Sequence, residues 1–415
     1  MISRTKYASQ ALILLTLLNL FNYIDRYVLF AVQPLIKAEF HVSDTSLGLL
    51  TTAFIICYAV VAPFVGLLAD RFPRKWIIMG GALLWSVATL FTALTYDYET
   101  LFIRHMIVGV GEASFVALAP AFISDFFTEE RRGRALGIFY IAFGLGPGIG
   151  YILGGQLSHQ FNSWRVPFYV GAVPGFLLAL AMIFIPEPER GATDTVAATF
   201  ERTSWKGLFS NGAFWTATLG MAMINFAMGG LSDWMPTFLT RMHGMSLDSA
   251  NYVFGAITVC NGIAAALLGG WLGDRLLRRT KAAYYLLSAV SMALAVPVMW
   301  LAIHGSGTAM FAAIAVGEFL LLLNTSPLNA ALVDSVSGKI RASAIALNLF
   351  VSHVLGDASS PWIIGHISDR GSLREGFLVT IAAVIVGALI LFYGARFAPR
   401  IHFSSAGQEK TGVTA

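Results

Sequence analysis

Gly66-Leu-Leu-Ala-Asp70-Arg71-Phe-Pro-Arg74-Lys75 is the stretch on which the reading of this chain turns. It returns 204 residues later as Gly270-Trp-Leu-Gly-Asp274-Arg275-Leu-Leu-Arg278-Arg279, with Gly, Asp and two Arg at the same spacing. Each copy follows a long apolar run and precedes another. Two more matches keep nearly the same offset: Gly111-Glu112 with Gly317-Glu318, 206 apart, and Arg134-Ala135 with Arg341-Ala342, 207 apart. Three matches at a nearly constant offset argue for two halves of common design. Two parallel halves packed in a bilayer surround a central cavity, the arrangement of alternating-access transporters.

Composition supports a membrane reading. Of the 415 residues, 57% are hydrophobic and 12% charged, where a soluble domain carries about a quarter charged. Disorder, a collagen-like fibre and a disulfide scaffold are excluded by 31 Phe and only two Cys. Cys57 and Cys260 lie in apolar runs and read as buried small hydrophobes. The net charge of +4 is spread over short connections, so it forms no face for nucleic acid.

A spanning helix needs about 20 mostly apolar residues. Twelve runs qualify: 10–36, 46–69, 76–95, 100–125, 134–158, 165–185, 211–240, 249–273, 282–303, 308–334, 341–367 and 373–397. The fold class expected is all-α, twelve transmembrane helices in two pseudo-symmetric six-helix bundles. Residues 1–185 form the first bundle, 186–210 a polar linker, 211–397 the second bundle and 398–415 a tail. The linker opens Pro186-Glu-Pro-Glu-Arg-Gly191, which stops a helix and cannot enter hydrocarbon. The first span is too long for a signal-peptide core and reads as a retained helix.

Lys and Arg near the span ends set orientation. With the N-terminus in the cytoplasm, 20 of them fall inside and five outside (Lys37, Arg165, Arg241, Arg370 and Arg374). That split predicts an even number of spans with both termini cytoplasmic. In the repeated loop, Gly66 and Gly270 allow close helix approach. Asp70, Arg71, Arg74, Asp274, Arg275 and Arg278 read as a gate, with Asp70 and Asp274 capping or pairing with the opposite half while the cytoplasmic side is closed. Lys75 and Arg279 read as topology signals.

Asp25 and Arg26 lie about 22 Å along span 1, and Glu112 about 18 Å along the oppositely directed span 4. Both depths fall well inside a core about 30 Å thick. A charge there costs at least ~2.5 kcal/mol, so these groups should face protein or a water-filled cavity. Arg26 near a carboxylate recovers much of that cost. Glu112 is the first candidate for a proton carrier, with Asp25 its partner and Arg26 the switch between them. Arg104 lies eight residues before Glu112, about 80° round the helix, and needs another partner or an anionic ligand. Asp233 reads as a rim contact on the outer part of span 7. His353 and Asp357 are i,i+4 neighbours able to bind headgroup atoms or relay protons. Asn324 adds a donor to span 10. The substrate-binding set is then Arg26, Arg104, Glu112, Asn324, His353 and Asp357. No ligand cluster for a metal and no nucleophile with an aligned base is legible, so neither a metal, a cofactor nor an enzyme is expected.

Twelve spans, a long central loop and the doubled Gly-x-x-x-Asp-Arg-x-x-Arg loop resemble the major facilitator superfamily. Within it, three stretches are similar to the Spinster family: Asn22-Tyr-Ile-Asp25-Arg26-Tyr27, Arg104 through Gly109-Val-Gly111-Glu112-Ala113-Ser114-Phe115, and Ser352-His353-Val-Leu-Gly356-Asp357-Ala-Ser-Ser-Pro361. The resemblance implies a bacterial inner-membrane transporter, monomeric and proton-coupled, of a lysophospholipid or sphingoid phosphate. The residues themselves leave open a small organic anion or drug-like compound, and symport or antiport. Gly144-Leu-Gly146-Pro147-Gly148-Ile-Gly150 resembles the Gly-Pro motif of superfamily antiporters, and serves close helix packing equally well.

Overall fold

The computed structural model describes residues 2–189, 206–336 and 340–398. Most of the expected linker, the tail beyond 398 and the Lys339 and Arg341 side chains lie outside the described residues. Among the described residues all regular structure is helical. Spans 1 to 6 are Ile2–Phe40, Asp44–Arg71, Arg74–Thr92, Tyr98–Ser124, Glu129–Gln160 and Val166–Ala181. Spans 7, 8, 9 and 12 are Gly212–His243, Leu247–Leu277, Ala283–His304 and Leu373–Gly394. Several run past the expected ends, because a helix continues beyond the hydrocarbon that first reveals it. Side-chain caps set their starts. Ser43 accepts from the Ser46 amide at 3.1 Å, Asp97 from Thr100 at 2.8 Å and Asn211 from Phe214 at 3.0 Å. Each satisfies one of the orphan donors of a first turn.

Spans 10 and 11 are interrupted, which the run lengths alone did not reveal. Span 10 consists of Gly307–Leu322 and Thr325–Asp334, and span 11 of Arg341–Leu355 and Ser360–Arg370. Gly356 and Pro361 bracket the second break, with Pro361 in the first turn of the new piece, where a missing N–H costs nothing. Carbonyls around the break find side-chain donors. Ala358 accepts from the Thr52 hydroxyl at 2.6 Å, and Pro361 from the Trp234 indole at 3.0 Å. Irregular backbone at membrane depth is tolerated when protein satisfies it in this way.

The contacts repeat as the sequence does. Span 1 packs on 5, 2 on 4, 3 on 4 and 3 on 6; correspondingly 7 packs on 11, 8 on 10, 9 on 10 and 9 on 12. The halves meet along two equivalent seams, span 5 against 8 and span 2 against 11. In the first seam a side chain on Gly148 would strike the Gly255 carbonyl, and one on Gly255 the Gly148 carbonyl. The glycine run of span 5 is therefore a packing surface.

The two ends of the second seam differ. Near residue 44 it is closed: a Cβ on Gly48 would strike the Pro361 carbonyl, and one on Gly365 the carbonyl of Asp44. At the opposite end a Cβ on Gly66 would meet nothing within 4 Å. Leu67 there is 65% exposed. The close approach expected at Gly66 is absent in this state. Cys57 is only partly buried and Cys260 is exposed, contrary to their expected burial.

Candidate functional site

Span 1 passes beside span 4 so that Arg26 reaches Glu112, Nη2 to Oε2 at 2.6 Å. Glu112 is fully buried and the Arg26 side chain 20% exposed, so the carboxylate lies behind its partner. The guanidinium lies over Phe54, 4.8 Å from the ring centre, with Tyr23 at 5.6 Å and Tyr58 at 5.7 Å. Such rings hold a cation without neutralising it. Across the seam, the His353 Nδ1 lies 2.9 Å from Asp357 Oδ1, and the His353 ring stands edge-on to Tyr58 at 6.3 Å. Tyr58 thus links the charge pair of one half to that of the other. The break in span 11 positions the second pair, since Gly229 of span 7 leaves room for Asp357. The expected pairing of Arg26 with Glu112 and of His353 with Asp357 is present.

Three expected members lie elsewhere. Asp25 does not join Arg26: it is buried, neither carboxylate oxygen has a hydrogen-bond partner, and Oδ1 fills the space left by Gly171 of span 6. One residue is 100° round a helix, enough to turn neighbours to different faces. Arg104 donates to the Phe91 carbonyl at the end of span 3 and lies over the Phe91 ring. It stands two turns before Gly111, whose bare face packs on Gly81 and Trp85 of span 3, and shares that direction. Asn324 sits in the break of span 10, bonded to the Leu320 and Leu321 carbonyls and to Ser291 of span 9.

With the Gly66 end of the seam open, the gate residues make local contacts. Arg74 is buried against Asp125 of the first half at 2.6 Å and against Glu187, at the start of the linker, at 3.1 Å. Asp274 accepts from Tyr284 at 3.0 Å, and Arg275 lies over Trp271. Asp70, Arg71 and Arg278 are not buried. Glu318, the repeat equivalent of Glu112, accepts from Thr258 at 2.8 Å and Asn261 at 3.0 Å rather than from a cation.

Two inter-half clusters escaped the sequence reading. At the closed end Asp44 accepts two bonds from Arg241 at 2.6 and 2.8 Å, one from Lys37 at 2.5 Å and one from Ser368 at 2.6 Å. Beside it Asp369 accepts from the amides of Asp44 and Thr45, both at 2.8 Å, capping span 2 from the other half. Deeper in, Asp233 is fully buried and accepts from Gln33 at 2.9 Å and Thr51 at 2.7 Å. It is an interface residue and not a rim contact. The pairs that cross between halves are 182 to 325 residues apart and follow no repeat, so only the folded chain brings them together.

Two broken spans, two equivalent seams and ionisable pairs facing each other across them define a secondary transporter of the major facilitator type. Residues 15–299 match the family model described as Major Facilitator Superfamily. The chain is 38% identical over 382 residues to "Protein spinster homolog 3" of Danio rerio, covering 86% of this chain and 76% of that one. It is 36% identical over 384 residues to "Sphingosine-1-phosphate transporter SPNS2" of Danio rerio, covering 86% and 75%. A solved bacterial homologue of the human lysosomal transporter Spinster, inward-facing and unoccupied, superposes with a TM-score of 0.85 at 24% identity, over 94% of this chain and 98% of that one. The chain belongs to the Spinster family of the major facilitator superfamily. It is a multi-pass membrane transporter and not an enzyme.

Proposed function

We propose that the chain moves an amphiphilic lipid with an anionic or zwitterionic head, of the lysophospholipid or sphingoid-phosphate type, by proton-coupled alternating access. It works as a monomer in the cell inner membrane with both termini cytoplasmic, as the twenty-to-five distribution of Lys and Arg supports. The closed end is then the outer one, and the state described here faces inward.

The observation that carries the reading is the partly exposed Arg26 paired with fully buried Glu112. As an ion pair the two carry no net charge. A proton on Glu112 frees the guanidinium, and an anionic headgroup then restores neutrality. Proton and headgroup therefore favour each other's binding, and the coupling is reciprocal. Tyr23, Phe54 and Tyr58 hold Arg26 in place between partners. His353 and Asp357 offer the headgroup polar contacts from the second half. Asp70 and Asp274, with the arginines of the repeated loops, close the cytoplasmic side in the alternate state. The likeness to a named sphingosine-1-phosphate transporter supports the choice of substrate class.

Uptake into liposomes tests this. Purified protein is offered a lysophospholipid, a sphingoid phosphate or a hydrophilic organic anion, each with and without a pH gradient. Lipid accumulation that follows the gradient is expected. Gradient-driven accumulation of the hydrophilic anion alone would overturn the substrate reading.

A further inference from the structure

Asp233 is an acid at the seam with no cation beside it. Its side chain is fully buried, as is Gln33, and Thr51 is nearly so. Among the described residues no lysine, arginine or histidine forms an ion pair with it. Oδ1 takes both bonds, from Gln33 on span 1 and Thr51 on span 2, while Oδ2 has none. An ionised carboxylate in such a place loses far more hydration than two neutral donors return. The surroundings offer no relief. Span 5 faces it with Tyr151, whose hydroxyl is committed to the Ser232 carbonyl at 2.5 Å. Lys37 on span 1 and Arg241 on its own span both engage Asp44 of span 2. Span 11 packs at this level through Pro361, which accepts from Trp234, and its ionisable His353–Asp357 pair is self-contained.

Gln33 suits either protonation state. Its amide donates through Nε2, while its Oε1 has no partner. Turned over, the amide presents that oxygen to a carboxylic O–H. The same three side chains can therefore bond an acid or its anion, but only the neutral acid belongs in a dry seam. When the outer end parts, water reaches Asp233 and the anion becomes affordable.

From this geometry we infer that Asp233 is a second proton-binding site, loaded from the outer side, whose occupancy closes the outer end of the seam. The inference rests on the proposed orientation and extends the proposed coupling, since it adds an ionisable step that does not pass through Glu112. Protonation stabilises the outer-closed state. The closed-to-open ratio falls by up to about tenfold per pH unit across the window in which the closed state holds the proton and the open state releases it.

Spin labels at Tyr96 and Met242, exposed positions at the outer ends of opposite halves, read that ratio in a background where Cys57 and Cys260 are replaced by Ala. The wild type should shift from short to long distances as pH rises. Asp233→Asn, a fixed neutral mimic, should stay short throughout. An Asp233→Asn protein that opens with the wild-type pH dependence overturns the inference. Infrared spectra give a second reading that needs no substrate. The protonated-carboxyl stretch of the outer-closed protein should lose a component in Asp233→Asn, and an unchanged band would contradict the assignment. Failure of lipid uptake would reject the proposed substrate and leave both of these readings intact.

Discussion

Replacing Asp44 with Asn should open the outer end of the molecule. Asp44 is 2% exposed and holds Arg241 and Lys37, whose side chains are 29% and 34% exposed. The substitution removes the carboxylate charge that both cations engage and leaves the Ser368 contact nearly intact. A surface pair is worth up to ~1 kcal/mol, and breaking a fully buried one costs about 3–5 kcal/mol. With the acid buried and its partners a third exposed, about 2 kcal/mol is the appropriate loss. At 1.36 kcal/mol per factor of ten, this lowers the closed-to-open ratio by roughly 30-fold. Electron-spin distance distributions between labels at the outer ends of the two halves read that ratio. Asp44→Asn should show a new long-distance population, and Asp44→Ala a larger one. Distributions identical to wild type would refute the claim that this cluster holds the outer end shut.

Gly48→Ala should lower the thermal midpoint, because its methyl group meets the Pro361 backbone. Gly66→Ala should leave the midpoint unchanged, since nothing lies within 4 Å of the new carbon in this state; slower turnover in that variant would place a close approach there when the cytoplasmic side closes. Arg104→Ala should cost some stability through the lost Phe91 contact while leaving lipid affinity, measured by calorimetry, within twofold of wild type. Asp70→Asn should weaken the inner-closed state and slow transport with binding retained, read as longer distances between cytoplasmic labels under conditions that close the wild type.

The membrane fold could be read from the sequence because its causes are local. Run length gives the spans, and an offset near 205 gives the halves. The Arg26–Glu112 pair was also accessible, since depth along a helix follows from rise per residue and a midplane charge demands a partner. Direction was harder to obtain. Eight residues on a helix place Arg104 and Glu112 on one broad face, yet Gly111 fixes the actual rotation by packing on span 3, and Arg104 turns with it. Asp25 turns away from Arg26 for the same reason, with Gly171 supplying the hollow. A register glycine seven residues from a charge would have been the signal to use. Nothing local signals Asp44–Arg241 or Asp233–Gln33, because each depends on how two distant halves meet. The breaks in spans 10 and 11 had partial signals in Asn324-Thr-Ser-Pro327 and in Gly356 through Pro361, which a hydropathy window averages away.

The proposed coupling requires one buried carboxylate, Glu112, to exchange a proton as a lipid headgroup binds. Proton counting in weakly buffered solution tests it most directly: lysophospholipid or sphingoid phosphate is added to purified protein, and the pH change is followed against the substrate bound. Proton uptake approaching one per lipid bound is expected in wild type, under conditions where the ion pair begins ionised, and none attributable to this site in Glu112→Gln with lipid binding retained. Equal proton uptake in wild type and Glu112→Gln would contradict it.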